Sequence, residues 1–497
     1  MRGFRFLFLL CLVTGFSLPA LAHVGSPDVY AQGDAGPYKL FVVIRPPLVI
    51  PGVAEIEVRS STPGVSRITI APMLLTGEAS KHPPVPDTMV KPSGDEQFFT
   101  GHLWIMATGS WQVRFSVEGN QGQGAISIPV PATAIGTRKM QSGMGFMLAA
   151  LGVILIVGMV GIIGAATREA QIAPGEKAPR QNRQRAYVAM SVTFVVLILG
   201  IILGGKWWNA EAANYASNIY KPLQMKASMQ PGEVLDLKMS DPGWLHGRKL
   251  DDFVPDHNHL MHLYAVRWPA MDVVFHLHPD QVGTGDFQLA LPTMPAGTYR
   301  LYADVVHANG FPETLVTSAK LPFIRGRELA GDDAEGTATA LKWNGGGTET
   351  SAIYKLPDGY TMTWKRPASL TAKAPEDFTF TLLDAQGNPP KDMQLYMGMA
   401  GHAAFVKTDG TVFAHIHPSG TVSMAALMMA QSQNRNSASS MADMKDMPGM
   451  DMSDNSQPIP NTVSFPYGFP TPGNYRIFVQ MKHGAAVETA TFDAQVQ

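Results

Sequence analysis

Apolar positions along the chain fall into three kinds of stretch. Near the start, Phe6 to Phe16 is apolar behind Arg2 and Arg5, and Ala20-Leu21-Ala22 follows as an A-x-A cleavage site. This pattern predicts a secretory signal over residues 1–22, with His23 as the mature N-terminus. Further on, Gly143–Ala165 and Tyr187–Gly205 run for 23 and 19 residues without a charge. Each is long enough to cross a bilayer as a helix. Residues 166–186 between them carry Arg168, Lys177, Arg180, Arg183 and Arg185 against Glu169 and Glu176. The excess of basic residues assigns this loop to the cytoplasm, so both large flanking regions face outward, with Trp207 and Trp208 as interfacial anchors. The expected location is the inner (cytoplasmic) membrane, with the N- and C-terminal regions in the periplasm or outside.

The third kind of stretch is short and punctuated. Lys39–Ile44, Ala54–Val58, Arg67–Ala71 and Trp111–Val117 are rich in β-branched or aromatic residues, separated by Pro46-Pro47, Pro51-Gly52 and Pro63-Gly64. Such spacing predicts strands of a β-sandwich. The expected fold is mostly β: three exported immunoglobulin-like sandwiches (23–135, 207–325 and 350–497) plus a two-helix transmembrane hairpin. A Gly/Ala/Asp/Thr-rich linker, Gly331–Gly347, separates the last two.

Composition narrows the chemistry. The chain has 28 Met and 1 Cys, and Cys11 falls in the signal. The mature protein then has no thiol, which excludes disulfides, cysteine metal sites and a blue-copper relay. The formal charge of -2 gives no sign of polyanion binding. The two spans hold no acid, base or histidine, which argues against a pump or channel. Met144, Met147, Met159 and Met190 within them read as packing or lipid-facing residues.

The candidate chemistry is a duplicated histidine pattern. H-N-H-L-M-H (257–262), V-F-H-L-H-P (274–279) and Y-R-L-Y-A-D-V-V-H (299–307) are answered by M-G-M-A-G-H (397–402), V-F-A-H-I-H-P (412–418) and Y-R-I-F-V-Q-M-K-H (475–483). His262, His276, His278 and His307 align with His402, His415, His417 and His483. His257 and His259 align with Met397 and Met399. Period-two alternation puts both rings of each H-x-H on one face, with Leu277 or Ile416 toward a core. The same rule gives 257/259 and 397/399 a common face. Three or four of these side chains are expected to converge at one edge of each sandwich. Imidazoles suit Cu(II), Zn and Ni, while thioethers favour Cu(I).

The second repeat carries an insertion of 37 residues, roughly Met424 to Pro460, taken as a mobile loop. In it Met441, Met444, Met447, Met450 and Met452 stand two or three apart between Asp, Lys, Pro and Gly, a spacing that suits a Cu(I) lure better than a core stripe. His23, with its free amine, is a candidate chelating ligand, and His102 is its first candidate partner. His82 stands alone, and His246 reads as structural.

Some segments resemble known families. Gly109-Ser110-Trp111-Gln112-Val113 looks like the end of YtkA/FixH-like immunoglobulin-type domains of bacterial exported proteins. A-G-T-Y-R-L-Y-A-D-V-V-H-A-N-G and P-G-N-Y-R-I-F-V-Q-M-K-H-G resemble the last strand of CopC-like copper-binding sandwiches, which implies His307 and His483 as ligands. Neither copy has the D-x-H spacing of that family. The Met441–Met452 run resembles methionine-rich loops of periplasmic copper oxidases and resistance proteins. The expected function is a membrane-anchored copper-binding protein for resistance, storage or delivery, with Zn or Ni as other ions and a copper transporter or oxidase as partner. No nucleophile or acid–base motif points to an enzyme. The alternatives are a copper oxidase or monooxygenase using His23, and a structural subunit of a membrane complex.

Overall fold

The computed structural model describes residues 27–137, 140–244, 248–341, 352–435 and 458–497. The signal segment, His23, His246 and Met441–Met452 lie outside the described residues. The chain is mostly β, built from antiparallel sheets, with two long apolar helices.

Residues 27–132 form two four-stranded sheets. One has the order β1 (Val29–Ala35), β2 (Tyr38–Arg45), β3 (Gly52–Ser60), β6 (Phe98–Ile105). The other has β5 (Asp87–Thr88), β4 (Val65–Leu74), β7 (Gly109–Gly119), β8 (Gly122–Ala132). Alternate residues are buried on each, such as Ala54, Ile56 and Val58 on β3 and Val113, Phe115 and Val117 on β7.

The first histidine repeat pairs a sheet of β13 (Asp280–Gly283), β14 (Asp286–Ala290), β10 (Val234–Ser240) and β9 (Gln224–Gln230) with one of β16 (Pro312–Leu321), β15 (Gly297–Val306), β11 (His262–Trp268), β12 (Val273–Leu277) and β17 (Ala334–Thr337). Leu235 and Leu237 meet Leu263, Phe275, Leu277 and Leu301 in the core between them. The second repeat pairs β18 (Ile353–Lys355), β19 (Thr361–Lys365), β20 (Glu376–Leu383) and β24 (Thr462–Tyr467) with β21 (Met393–Gln394), β25 (Gly473–His483), β22 (His402–Lys407) and β23 (Phe413–Ile416). Here β26 (Ala486–Val496) pairs with β25. Strand β17 lies inside the expected linker, where it completes a sheet by pairing with β12.

The outer faces of the two repeats' larger sheets pack on each other. Tyr264, Val266, Met271, Val274 and Tyr302 of the first repeat form one buried cluster with Ala404, Val406, Phe413 and Phe478 of the second. Tyr302 and Phe413 stack at 4.2 Å. Strands β11, β12, β22 and β25 thus have two buried faces, one toward their own core and one toward the sister repeat.

The N-terminal sheets join the same compact unit. Tyr30 of β1 lies in the second repeat's core cluster, and the Gln32 amide donates to Ser419 O at 2.9 Å. Gly420 takes φ +124°, and a Cβ there would sit 1.9 Å from Tyr30 O, so this contact requires glycine. The start of the expected mobile loop is helical. Helix α3 (Met424–Arg435) buries Ala426 and Ala430 against Leu75. The Ser423 hydroxyl accepts from the Ala426 amide, a cap that lets the apolar Met-Ala-Ala-Leu run start a helix.

The second compact unit is a helix pair, α1 (Ser142–Glu169) and α2 (Arg180–Ser217). Both are long and apolar enough to cross a membrane. Met144, Met147 and Met159 are exposed on α1, while Met190 of α2 packs on Gly164. Helix α2 continues past Trp207 and Trp208 to Ser217, so the first strand of the histidine repeats starts later than the expected boundary at 207, at Gln224.

Candidate metal centre

The packing of the two repeats brings eight histidines together. On β11 the residues facing the sister repeat are His262, Tyr264 and Val266; on β12 they are Val274 and His276, followed by His278. The second repeat presents His402, Ala404 and Val406 from β22, and Phe413 and His415 from β23, followed by His417. Leu277 and Ile416, between the two rings of each H-x-H, point into their own cores. The expected edge of each sandwich is therefore a shared face between the two.

The residues before β11 and β22 form matching two-residue turns. His257 and Asn258 have φ of 49° and 70°; Met397 and Gly398 have 50° and 78°. Bridges Asp256–His259 and Tyr396–Met399 close them. Positive φ at both central residues marks the type I′ hairpin turn, which Asn and Gly tolerate best. The extended alternation expected for 257/259 and 397/399 is thus replaced by a turn. The His257 turn reaches across to the second repeat: its ring lies 5.0 Å from His402 and 4.9 Å from His417. His257, His402 and His417 form one group whose ligand atoms lie within 4.8 Å of one another, and His262, His276 and His278 form another. Met397 is buried beside Ala334, next to Asp333, a partner of His278, and Met399 is buried at the close of the same turn.

The rings are oriented by polar contacts at their outward nitrogens, hydrogen bonds for His278 and His417 and a carboxylate contact for His415. His278 Nδ1 lies 3.0 Å from Asp333 Oδ1, His415 Nδ1 3.3 Å from Asp304 Oδ2, and His417 Nδ1 3.2 Å from Val422 O. Each contact directs Nε2 inward. Among the described residues, Nε2 of His257, His278, His402, His415 and His417, and Nδ1 of His402, are buried without a hydrogen-bond partner. His276 Nδ1 lies 2.9 Å from Gln480 Oε1, and His262 Nε2 lies 2.9 Å from Asp256 O. Both of those acceptors require the proton on the ring nitrogen they face. The remaining lone pairs, on His262 Nδ1 and His276 Nε2, then face each other at 3.1 Å. Two lone pairs at that distance repel, but they suit two ligands of one ion with bonds of about 2.0–2.1 Å.

Burial holds these imidazoles neutral. It pushes His262, His276, His402 and His415 well below the ordinary histidine range, with neighbouring rings adding to the effect. His417 is pushed down to about 3 by burial and by His257. Neutral imidazole is the form that binds metal. His259 flanks the cluster, stacked on His278 at 3.8 Å, with Nε2 3.2 Å from Asp332.

His307 and His483, ligands by the resemblance, lie outside these two groups; His483 falls instead in a third group, with Asp358 and Glu488, that could hold a metal ion. His262 pairs across the sheet with Asp304, so residues 302 and 304 face the sister repeat and residue 307 faces the other way. His307 bonds Asp252 and Glu313, against Phe253. His483 bonds Asp358 and Asp392, with Glu488 beside it and Tyr360 stacked on it. His82 and His102 are exposed. The orienting residues Asp304, Asp332, Asp333 and Gln480 carry no sequence motif. The first and last lie two residues along the strand from apolar interface residues, Tyr302 and Phe478, which is the one signal that could have found them.

A family described as a domain of unknown function (DUF8832) matches residues 355–497, the second repeat. No curated protein matches the chain. Among solved structures, the ICAM-5 D1–D4 ectodomain fragment is similar at 8% identity and TM-score 0.15, over 92% of this chain and 77% of that one. The I67–I69 I-band fragment of titin is similar at 9% identity and TM-score 0.14, over 90% and 92%. E. coli alpha-2-macroglobulin is similar at 9% identity and TM-score 0.16, over 92% and 25%. Likenesses this low carry no functional argument.

Proposed function

We propose that this chain is a membrane-anchored protein whose exported repeats bind a transition metal, copper foremost, in resistance, storage or delivery. The observation behind this reading is the set of five buried rings with unpartnered nitrogens aimed into one chamber. Leaving a buried polar group unsatisfied costs about 1–3 kcal/mol. Repeated over five rings, that rivals the net stability of a whole domain, about 5–15 kcal/mol. A metal ion converts these lone pairs from a cost into bonds. Carboxylates and carbonyls behind the rings are the usual support for histidine ligands.

The donor set is imidazole, which suits Cu(II), Zn and Ni; Met397 and the Met441–Met452 segment favour copper among these by adding sites soft enough for Cu(I). The two apolar helices support the membrane anchor, and the signal-like start supports placing the repeats in the periplasm, where a copper transporter or oxidase would be the partner. The experiment is competition titration of the full-length protein in detergent with Cu(I), Cu(II) and Zn(II) against chelators. Binding no tighter than to an unfolded peptide of like composition would remove the reading.

A second reading is a copper-dependent oxidase. The buried Tyr396 hydroxyl lies 3.3 Å from His276 Nδ1 and donates to Asp332 O at 2.7 Å, which sets a phenol against a candidate ligand. Oxygen consumption with phenolic or Cu(I) substrates separates this from storage. The version relying on His23 concerns a residue outside the described ones.

A further inference from the structure

We infer that the chamber is a dinuclear centre, in which two metal ions sit side by side at the repeat interface with His415 between them. This rests on the metal-binding reading above. Within the group of His257, His402 and His417, ring centroids are 4.9–5.0 Å apart. Within the group of His262, His276 and His278 they are 4.8–5.3 Å apart. Between the groups the separations are longer: 6.2 Å for His257–His262 and 6.4 Å for His276–His402. The rings therefore cluster about two centres rather than one.

A single ion cannot satisfy them all. First-row ions in histidine sites usually take about four ligands. Six facing rings plus His415 exceed that, and the surplus lone pairs would stay buried and unpaired. Two ions with three imidazoles each leave room for one more ligand apiece. His415 is placed to fill one of these positions, because a neutral imidazole whose Nδ1 faces Asp304 offers one lone pair, on Nε2. Its ring lies 5.3 Å and 5.4 Å from His262 and His276 of one group, and 5.5 Å and 4.6 Å from His402 and His417 of the other. Its Nε2 is buried and unpartnered, while Asp304 holds Nδ1.

The two centres are also unlike. The first draws on both repeats, since His257 crosses over; the second lies wholly in the first repeat, with Met397 turned toward its flank.

The test is Cu(II) loading of the full-length protein in detergent, read by metal analysis and by double integration of the EPR spectrum. The expected result is two coppers per chain in the chamber, with spin intensity well below two because neighbouring Cu(II) ions couple. H402Q should lower the stoichiometry to one and restore the full, isolated signal of the remaining ion. H276Q should do the same for the other centre, and thermal unfolding shows that each variant is folded. H82Q, on the exposed surface, should leave both readouts unchanged. One copper per chain, or two with full uncoupled intensity, overturns the dinuclear centre while the metal-binding reading stands. No copper bound at all removes both.

Discussion

His415 of the second repeat is held by Asp304 of the first, with Nδ1 3.3 Å from the carboxylate. The relation is reciprocal: His276 of the first repeat is held by Gln480 of the second at 2.9 Å. In the duplicated sequence His276 corresponds to His415, and Asp304 to Gln480. Each repeat thus orients the other's inner histidine, so the site exists only when both repeats are folded and docked.

Asp304→Asn is the direct test of that support. The amide can still face His415, but it loses the charge and the preference for a donated Nδ1 proton. Losing such an outer partner typically costs about 10–100-fold in metal affinity. Chelator competition should show a loss in that range with the fold retained; unchanged affinity would mean that Asp304 does not orient a ligand.

Acid should loosen the metal-free protein. Burial lowers the folded-state pKa of His262, His276, His402, His415 and His417, so folding favours their neutral forms. Their contribution is fully present above the unfolded value, about 6.5. It is lost progressively as pH falls below that, because the unfolded chain binds more protons. Asp304, raised to about 7 by burial, and His307, raised by Glu313 and Asp252 against its own desolvation, pull the other way. So do the raised carboxyls of Asp28, Asp256, Glu335, Glu376, Asp377 and Glu488, but His257 and His278 are lowered as well, and four of the seven depressed histidines lie well below the ordinary range. Thermal unfolding of the metal-free protein should therefore move to lower temperature from pH 7.5 to pH 5, and a flat profile would contradict this. Bound metal should raise stability across this range without reversing the slope, since the metal-bound rings are neutral too.

Gly420→Ala should undock the N-terminal sandwich locally. The new Cβ would meet Tyr30 O, and φ +124° is a strained angle for alanine. Because the Gly420 amide also donates to His417 O at 2.9 Å, the change should lower both the unfolding temperature and metal affinity. Loss of stability alone would separate the docking contact from the site.

His307 and His483 should be dispensable for tight binding. Both face away from the repeat interface and are satisfied by carboxylates. His307→Gln and His483→Gln should keep the wild-type copper stoichiometry at the chamber, measured after chelator washing, whatever they do to stability.

The sequence carried the faces but not their partners. The parity of His276-Leu277-His278 was legible because a strand alternates whatever it packs against. What covers the polar face was not legible, because Tyr264, Val266 and Phe413 look like ordinary strand residues until another sheet lies over them. His307 was within reach of the same parity: eight residues from the core residue Tyr299 keeps it on the core side, and the family resemblance outweighed that count. The I′ turns were signalled by His257-Asn258 and Met397-Gly398 but read as strand. Helix α3 was hidden by the polar run that follows its short apolar start.

The most direct measurement is an anomalous-difference map at the copper edge from crystals of the copper-loaded protein. Density is expected between His257, His402 and His417 and between His262, His276 and His278, with none at His307. Copper found elsewhere, with the chamber imidazoles bonded only to protein and water, would contradict it.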